Sequence, residues 1–311
     1  MNANITLQQL IYAVAVDGRG SFVDAAEECK VSQPALSMQI RKLENTLGVA
    51  LFDRSRQPVQ PTEIGRRVIA QARLVLREAG RVQELIDLAQ GEMKGEYRLG
   101  VLPSIASWVL PGAVREFTDR HPEVMMTVRE FSIEEIVDGL KRDRLDGAIV
   151  PLPLGVETFV ERTLYHEPLI AYVPRRHRLY DYRRIESGNL YRSDLLLPAK
   201  GDPLRGVIAE LVRNENGLPD ERESFRWEGG SFDSLRRLAE EGLGIALLPK
   251  FLADEIRGSG TADMLREFAA PIPHRTIGLI CTSSHTKGHI TDEFEATLLS
   301  RIPPGLLEKP V

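Results

Sequence analysis

Cysteine is nearly absent from this chain, with only Cys29 and Cys281 among 311 residues. Neither belongs to a CxxC pair or a Cys/His cluster, so the sequence predicts no disulfide framework and no structural zinc site. No apolar run approaches the length of a membrane span. The run Leu10–Val16 is too short for a signal peptide and has no basic residue before it. We therefore expect a cytoplasmic protein that does not contact membranes.

Catalytic motifs and an excess of positive charge are also missing. The sequence has no GxSxG, HExxH, Walker-type or GxGxxG motif, and its only histidines one helical turn apart are His285 and His289. A glycine lies between these two histidines and no carboxylate pair is nearby, so we expect no metal site. Because the catalytic and cofactor-binding motifs are missing, we also expect no enzyme activity and no cofactor. The net charge is −5, and residues 1–62 hold six Lys/Arg and six Asp/Glu. Binding to nucleic acid would therefore depend on a local motif.

The most informative segment is an amphipathic helix predicted over residues 32–47. Its apolar stripe repeats with helical period, and its other face is polar. Ser32 is a natural N-cap and Pro34 lies in the first turn. The stripe contains Leu36, Ile40, Leu43 and Leu47, and the other face contains Gln33, Ser37 and Arg41, with Pro34 and Met38 beside them. Taken alone, this is the pattern of an ordinary surface helix.

The preceding residues favour a DNA-binding role for that helix. Ser21 can cap a short helix whose alanines, Ala25 and Ala26, allow close helix packing, and Lys30 and Val31 form a short turn. An earlier amphipathic helix completes helix–turn–helix spacing. The segment SFVDAAEECKVSQPALSMQIRKLENTLGVALFDR resembles the winged helix–turn–helix of the LysR-type transcriptional regulators. The resemblance implies that the polar face of the second helix reads the major groove, through Ser32, Gln33, Pro34, Ser37 and Arg41.

Two elements follow the predicted reading helix. Residues 53–61 form a hairpin wing, and the resemblance implies that Arg54 and Arg56 contact the minor groove or the adjacent backbone. The alternative is that both arginines are solvated loop residues. From Thr62 to about Ala89, apolar residues recur in steps of four and three, which predicts a long helix with a heptad-like seam. Since nothing adjacent in sequence can cover this seam, we interpret the helix as a linker that dimerises with a second copy.

From Glu96 onward, strands alternate with helices, which predicts a mostly parallel sheet with helices on both faces. The resemblance implies a two-lobed periplasmic-binding-protein-like domain. The predicted fold is thus an N-terminal all-α winged helix–turn–helix with a long linker helix, followed by a C-terminal α/β two-lobed domain. The tail from Pro303 is expected to lack fixed structure. The predicted boundaries are 1–62 for the DNA-binding domain, 63–90 for the linker helix, 94–165 with 270–302 for the first lobe, and 166–269 for the second lobe.

A small-molecule effector is expected in the cleft between the lobes. Ligands of α/β sheets bind beyond the carboxyl ends of strands, where helix N-termini favour anions. Ser104, Ser132 and Ser231 are predicted at such positions, and the loop PAKGDP carries Lys200, Asp202 and Pro203. The alternative is that each serine only caps a helix.

The chain is most similar to the OxyR-like branch, through GVLPSIASWVLPG, HEPL, SLRRLAEEGLGIALLP and HRTIGLI. The members of that branch have two redox cysteines, and the resemblance implies that their positions correspond to Pro203 and Val212 in this sequence. Neither can form a thiolate, so we expect no peroxide switch of that kind. The expected partners are promoter or operator DNA, the effector, further copies in a homodimer or homotetramer, and RNA polymerase. Three alternatives stay open: a ligand-independent regulator, an oxidative-stress regulator without the cysteine switch, and a solute-binding module without DNA function.

Overall fold

A computed structural model of the chain forms two compact units. The first contains Met1–Met93, Gly139–Asp146 and Ser283–His289, and the remainder of the chain forms the second. No helix in the described part of the chain is long and apolar enough to cross a membrane. The structure describes residues 5–90, 93–191, 194–211, 231–258, 260–283 and 287–310.

The first unit is helical, with a small hairpin. Its first three helices begin at N-caps, where the hydroxyls of Thr6, Ser21 and Ser32 accept backbone N–H groups. The predicted caps at Ser21 and Ser32 are therefore confirmed. The elements are α1 (Leu7–Arg19), α2 (Phe22–Glu28), α3 (Gln33–Leu47), β1 (Phe52–Asp53), β2 (Gln60–Pro61) and α4 (Glu63–Gln90).

The core of this unit lies between α1, α2, α3 and the start of α4. Leu36, Ile40 and Leu43 are fully buried, which confirms the predicted stripe. Between α2 and α3, Lys30 adopts a left-handed backbone with φ of 54°, which turns the chain sharply without a glycine. Gly48 ends α3 in the same conformation, with φ of 71°.

The helix α4 begins against the base of the hairpin. The hydroxyl of Thr62 accepts the N–H of Gly65 at 2.9 Å. A Cβ atom on Gly65 would lie 2.0 Å from the carbonyl oxygen of Leu51, so this close approach requires glycine. The first part of the predicted seam is covered within the same chain, contrary to the prediction, because Ala72 is buried and Val68 packs on the core of this unit. Elsewhere on α4, on the seam and beside it, large apolar side chains are exposed. They are Ile64, Leu74, Val75, Val82, Leu85 and Ile86.

The second unit is built on a nine-stranded sheet. Its strands are β3 (Gly95–Val101), β4 (Val124–Glu130), β5 (Gly147–Leu152), β6 (Phe159–Tyr172), β7 (Arg184–Ile185), β8 (Leu195–Leu196), β9 (Ile245–Pro249), β10 (Leu265–Phe268) and β11 (His274–Thr282). Its helices are α5 (Pro103–Arg120), α6 (Ile133–Lys141, whose last residues belong to the first unit), α7 (Pro203–Leu211), α8 (Phe232–Glu240), α9 (Lys250–Ile256) and α10 (Gly288–Arg301, whose first two residues belong to the first unit).

The sheet is mixed, so the prediction of a mostly parallel sheet is wrong. The strand order is β4-β3-β5-β11-β6-β10-β7, with β9 pairing β6 and β8 pairing β9. The pairs β3–β4, β3–β5, β7–β10 and β8–β9 are parallel, whereas β11 is antiparallel to β5 and β6, and β6 is also antiparallel to β9 and β10. The antiparallel pairs arise because the 14-residue β6 is paired along its length by β11, β9 and β10, which all run in the opposite direction.

The tail beyond Pro303 also differs from the prediction. Residues Pro304–Leu306 form a turn of 3-10 helix, and Leu306 is only 5% exposed. Burial of this leucine gives the tail a fixed position, which its proline content alone does not indicate. The residue boundaries of the domains and of the two lobes stay a prediction.

Candidate DNA-reading surface and effector site

The polar residues predicted to read DNA lie on the outer side of α3. Gln33, Pro34 and Arg41 are exposed, and Ser37 is half-buried. Ser32 is also exposed, but its hydroxyl accepts the N–H of Ala35 as the N-cap. The opposite side of the helix is the buried stripe, so one face packs on the core and the other meets solvent.

Ion pairs within the first unit neutralise most of the carboxylates in residues 1–62 and leave several cations unpaired. Four of the six carboxylates in residues 1–62 are held by arginines: Arg73–Asp17 at 2.8 Å, Arg19–Glu28 at 2.6 Å, Arg54–Glu44 at 3.0 Å and Arg56–Asp53 at 3.1 Å. Within the described stretch 5–90, the side chains of Lys30, Arg41 and Lys42 make no hydrogen bond or ion pair. Two of these free cations are on α3 and the third is in the turn before it. The reading helix therefore presents positive charge despite the zero balance of the segment.

Arg54 ties the wing to α3. Its guanidinium donates to Glu44 at 3.0 Å and lies 4.8 Å from the centre of the Phe22 ring. Its other nitrogen is 3.4 Å from the Ser37 hydroxyl. Glu44 also accepts the backbone N–H of Leu51 at 2.8 Å. Glu44, which the sequence analysis did not select, is thus the residue that joins the helix to the hairpin.

Arg56 is held more loosely than Arg54. Its side chain is 64% exposed and pairs with Asp53 inside the hairpin. Hydrogen bonds from the hydroxyl and N–H of Ser55 hold the pKa of Asp53 below its usual value, so this carboxylate stays charged. An open cavity of about 660 Å³ lies beside the hairpin, lined by Arg54, Arg56 and a third arginine, Arg66. Because Glu44, Asp53 and Glu63 line it as well, its charge is mixed.

The second unit contains a buried ion pair beside one of the predicted effector residues. Arg275 on β11 is 3% exposed and Glu167 on β6 is fully buried; their Nε and Oε2 atoms are 2.7 Å apart. Arg275 also donates to the carbonyl oxygen of Ser104 at 3.0 Å, and lies 3.3 Å from its hydroxyl. Ser104 stands in the first turn of α5, whose N-cap position is occupied by Leu102. The cap interpretation therefore does not apply to Ser104.

The loop that carries Asp202 and Pro203, and the first residue of α8, also lie near Arg275. Burial raises the pKa of Asp202, and the charge of Arg275 opposes this rise. The carboxylate accepts the N–H of Leu204 at 2.8 Å and so fixes the start of α7, where Pro203 is the first residue. The ring of Phe232, the first residue of α8, is centred 5.9 Å from the guanidinium.

Among the described residues, no hydrogen bond or ion pair joins the side chains of Ser132, Lys200 or Ser231 to this cluster. The hydroxyl of Ser231 lies 3.5 Å from the N–H of Ser234, and Ser132 accepts the N–H of Glu135 at 3.3 Å. Both serines thus cap helices. Lys200 is exposed.

Sequence reasoning missed Arg275 and Glu167 as site residues. For Arg275 the available signal was a charged residue in a strand that has no carboxylate and no other Lys or Arg, since such a charge needs a partner when buried. Glu167 keeps one oxygen, Oε1, buried without a hydrogen-bond partner in the described structure. This atom can accept a hydrogen bond from a small molecule or a water.

The two thiols are shielded from solvent to different degrees. Burial raises the pKa of Cys281, which is fully buried, and of Cys29, which is half-buried, so both favour the thiol form. Val212, the other position of the expected redox pair, lies outside the described residues, as does His285. Among the described residues, no group of three or more His, Cys, Asp or Glu can hold a metal.

Comparisons with known proteins agree with this architecture. Residues 7–66 match the family described as bacterial regulatory helix-turn-helix protein, lysR family, and residues 90–302 match the LysR substrate binding domain. A probable hydrogen peroxide-inducible genes activator from Streptomyces viridosporus is 34% identical over 294 residues, covering 94% of this chain and 93% of the relative. The DNA-binding transcriptional dual regulator OxyR of Escherichia coli K12 is 31% identical over 276 residues, covering 89% of each.

Solved structures show the same fold. A full-length OxyR variant from Pseudomonas aeruginosa has a TM-score of 0.79 and 27% identity, covering 95% of this chain and 98% of that one. An H2O2-bound OxyR mutant from Corynebacterium glutamicum has a TM-score of 0.61 and 26% identity, covering 95% and 92%. With a helix–turn–helix domain and a substrate-binding domain both matched, the chain belongs to the LysR family of DNA-binding transcriptional regulators, among OxyR-like relatives.

Proposed function

We propose that this regulator recognises operator DNA through the outer face of α3, with Gln33, Pro34, Ser37 and Arg41 in the major groove and Ser32 at the entry of the helix. The observation that carries this proposal is the pair of free cations, Arg41 and Lys42, on the exposed side of α3. Arginine and glutamine pair with base edges through two hydrogen bonds, each good pair giving roughly 1–3 kcal/mol of discrimination. Promoter binding of this kind takes place in the cytoplasm and involves RNA polymerase.

Arg41→Ala tests the reading helix. Duplexes selected from a random library with the wild-type protein serve as probes, and affinity is measured by fluorescence anisotropy. Loss of one base contact is expected to weaken binding roughly 5- to 150-fold. Arg115→Ala is the control, because Arg115 is 82% exposed in the second unit and pairs with a neighbour on its own helix, Asp119. Unchanged affinity of Arg41→Ala would remove α3 as the reader.

The two wing arginines are proposed to act differently. Arg56, with an exposed side chain, contacts a backbone phosphate, whereas Arg54 positions the wing and Ser37. Arg56→Ala is then expected to lower the slope of log affinity against log salt by about 1. Arg54→Ala is expected to weaken specific binding more than non-specific binding. Equal changes of the salt slope in both variants would contradict this division of roles.

The exposed apolar side chains of α4 support assembly of the regulator as a homodimer through this helix, and as a homotetramer when the effector domains also pair. Val82 and Leu85 are 61% and 68% exposed. Val82→Glu is expected to reduce the oligomeric mass measured by light scattering, because it places a charge in an apolar seam. Val23→Glu is the control, since Val23 is 55% exposed on α2. A mass that does not change in Val82→Glu would exclude α4 as the interface.

A small polar effector is proposed to bind beside Arg275, in contact with Ser104, Asp202, Pro203 and the start of α8 after Ser231. The unsatisfied oxygen of Glu167 supports a ligand that donates a hydrogen bond, and the helix N-termini support an anionic group. The prediction that Ser132 and Lys200 also line the site has no contact to support it in the described structure, but it stays part of the hypothesis.

A thermal-shift screen against acidic and neutral metabolites tests the effector proposal. A ligand at 100 times its Kd stabilises the protein by about 2.7 kcal/mol, which a melting curve resolves readily. Ser104→Ala should abolish the shift, and Ser132→Ala should abolish it only if Ser132 also lines the site. No shift across a broad screen would favour the ligand-independent regulator.

A further inference from the structure

The outer face of α3 carries one large apolar side chain that has no place in the core. Met38 is 62% exposed, and it lies on the helix between Leu36 and Ile40, which are both fully buried. It is not among the residues that pack on the hydrophobic core of the first unit. The predicted DNA-reading residues are all polar apart from Pro34. Their hydrogen bonds to DNA therefore do not explain why a large apolar side chain is exposed on the same face.

The surroundings of Met38 define the kind of surface that can cover it. Pro34 lies one turn before it and Lys42 one turn after it, with Arg41 also adjacent at the third following position. Both cations are exposed and unpaired in the described part of the chain. A second copy of this face would bring like charges together, whereas a partner with an anionic rim complements it. The major groove of DNA has phosphates at its rim and, among its base edges, one apolar group, the 5-methyl of thymine.

We propose that Met38 is a specificity-determining residue that contacts a thymine 5-methyl group in each half of the operator. This inference rests on the proposed reading of DNA by α3. The hydrogen bonds of the neighbouring polar residues would fix the position of α3 in the groove. The unbranched, polarisable methionine side chain can then adapt its three torsions to reach the methyl group. Removing a methyl of this size from an apolar contact is expected to weaken binding about fourfold.

Uracil substitution tests the contact directly, because uracil keeps the hydrogen-bonding edge of thymine and lacks only the methyl. The probes are duplexes selected from a random library with the wild-type protein, in which each thymine is replaced in turn by uracil. For the wild type, we expect about fourfold weaker binding at one thymine in each half-site. For Met38→Ala, thymine and uracil at that position should bind equally, and Met38→Leu should restore part of the preference.

A matched control is available in the same chain. Met125 on β4 is 70% exposed and lies in the second unit, so Met125→Ala should retain the wild-type uracil pattern. The inference is overturned if no thymine of the wild-type probe is sensitive to uracil, or if Met38→Ala keeps the sensitivity. It is also overturned if Met38→Ala changes the oligomeric mass, since a second copy would then cover this side chain. Arg41→Ala is measured on the same probes. If its affinity is unchanged, the proposed reading of DNA by α3 fails; if its affinity falls, a negative result for Met38 concerns this inference alone.

Discussion

The buried pair of Arg275 and Glu167 gives the sharpest stability prediction for the second unit. The two side chains are 2% and 1% exposed, and their nearest atoms are 2.7 Å apart. Replacing Arg275 by methionine keeps an unbranched chain but leaves the Glu167 carboxylate buried without its counter-charge. Breaking a buried pair from one side typically costs about 3–5 kcal/mol, because the remaining charge stays desolvated.

Urea unfolding followed by tryptophan fluorescence is the appropriate assay. Both tryptophans, Trp108 and Trp227, belong to the segment that matches the substrate-binding domain, so the signal reports on the unit that contains the pair. Arg275→Met is expected to lose about 3–5 kcal/mol of unfolding free energy at neutral pH. Glu167→Gln should lose less, because Arg275 retains the Ser104 carbonyl and the charge of Asp202.

The double variant completes the cycle. With Arg275→Met and Glu167→Gln combined, the Glu167 charge is no longer buried without a partner, so part of the loss from Arg275→Met should be recovered. A loss below about 1 kcal/mol in Arg275→Met would mean that Glu167 is solvated. The account of this site as a desolvated pair would then be wrong. Additive effects in the double variant would refute the direct interaction.

Three further predictions concern the wing, the pH dependence and the redox response. Gly65→Ala is expected to destabilise the first unit by about 1–3 kcal/mol in thermal unfolding, because its Cβ meets the Leu51 carbonyl, whereas Gly18→Ala, with open space around it, should be neutral or slightly stabilising. Since the folded pKa of Asp202 is raised, the native state binds more protons, and stability falls as pH rises from the unfolded pKa through the folded pKa. Asp202→Asn should remove this loss and raise the melting temperature at neutral pH, and an equal effect at pH 3 would contradict it. Peroxide should leave the DNA affinity of the purified protein unchanged, because the sequence has Pro203 where the resemblance predicts the sensor cysteine, and a reversible, thiol-dependent change would disprove this.

Local rules were sufficient for the DNA-binding unit. Ser21 and Ser32 are caps, Gly48 ends α3, and the apolar period places Leu36, Ile40 and Leu43 in the core, because caps and helical periodicity depend on residues only three or four apart. The mixed sheet could not be predicted in this way. Strand direction depends on pairing between segments such as β6 and β11, which are more than 100 residues apart.

The cluster around Arg275, where we propose that the effector binds, was predicted only in part for the same reason. Ser104 and Asp202 were found from strand ends and loop position, but Arg275, which connects them, lies on a strand that is distant in sequence. Ser132 and Ser231 look like Ser104 in sequence, yet the structure uses them as helix caps. A serine at the start of a helix can cap the helix or contact an effector. The three serines differ in the structure because Ser104 alone among them contacts a buried cation, Arg275.

The sequence by itself determined the family, the helix–turn–helix and the residues on each face of α3, since these follow from a continuous motif and its periodicity. It also placed Arg41 and Lys42 on this helix, but it did not determine which cations stay unpaired, because the charges of residues 1–62 sum to zero. The tertiary structure decided that, by pairing Glu44 with Arg54 and Asp17 with Arg73 and leaving Arg41 free. Electrostatic attraction depends on the distance between charges in space, which a sum over the sequence does not contain.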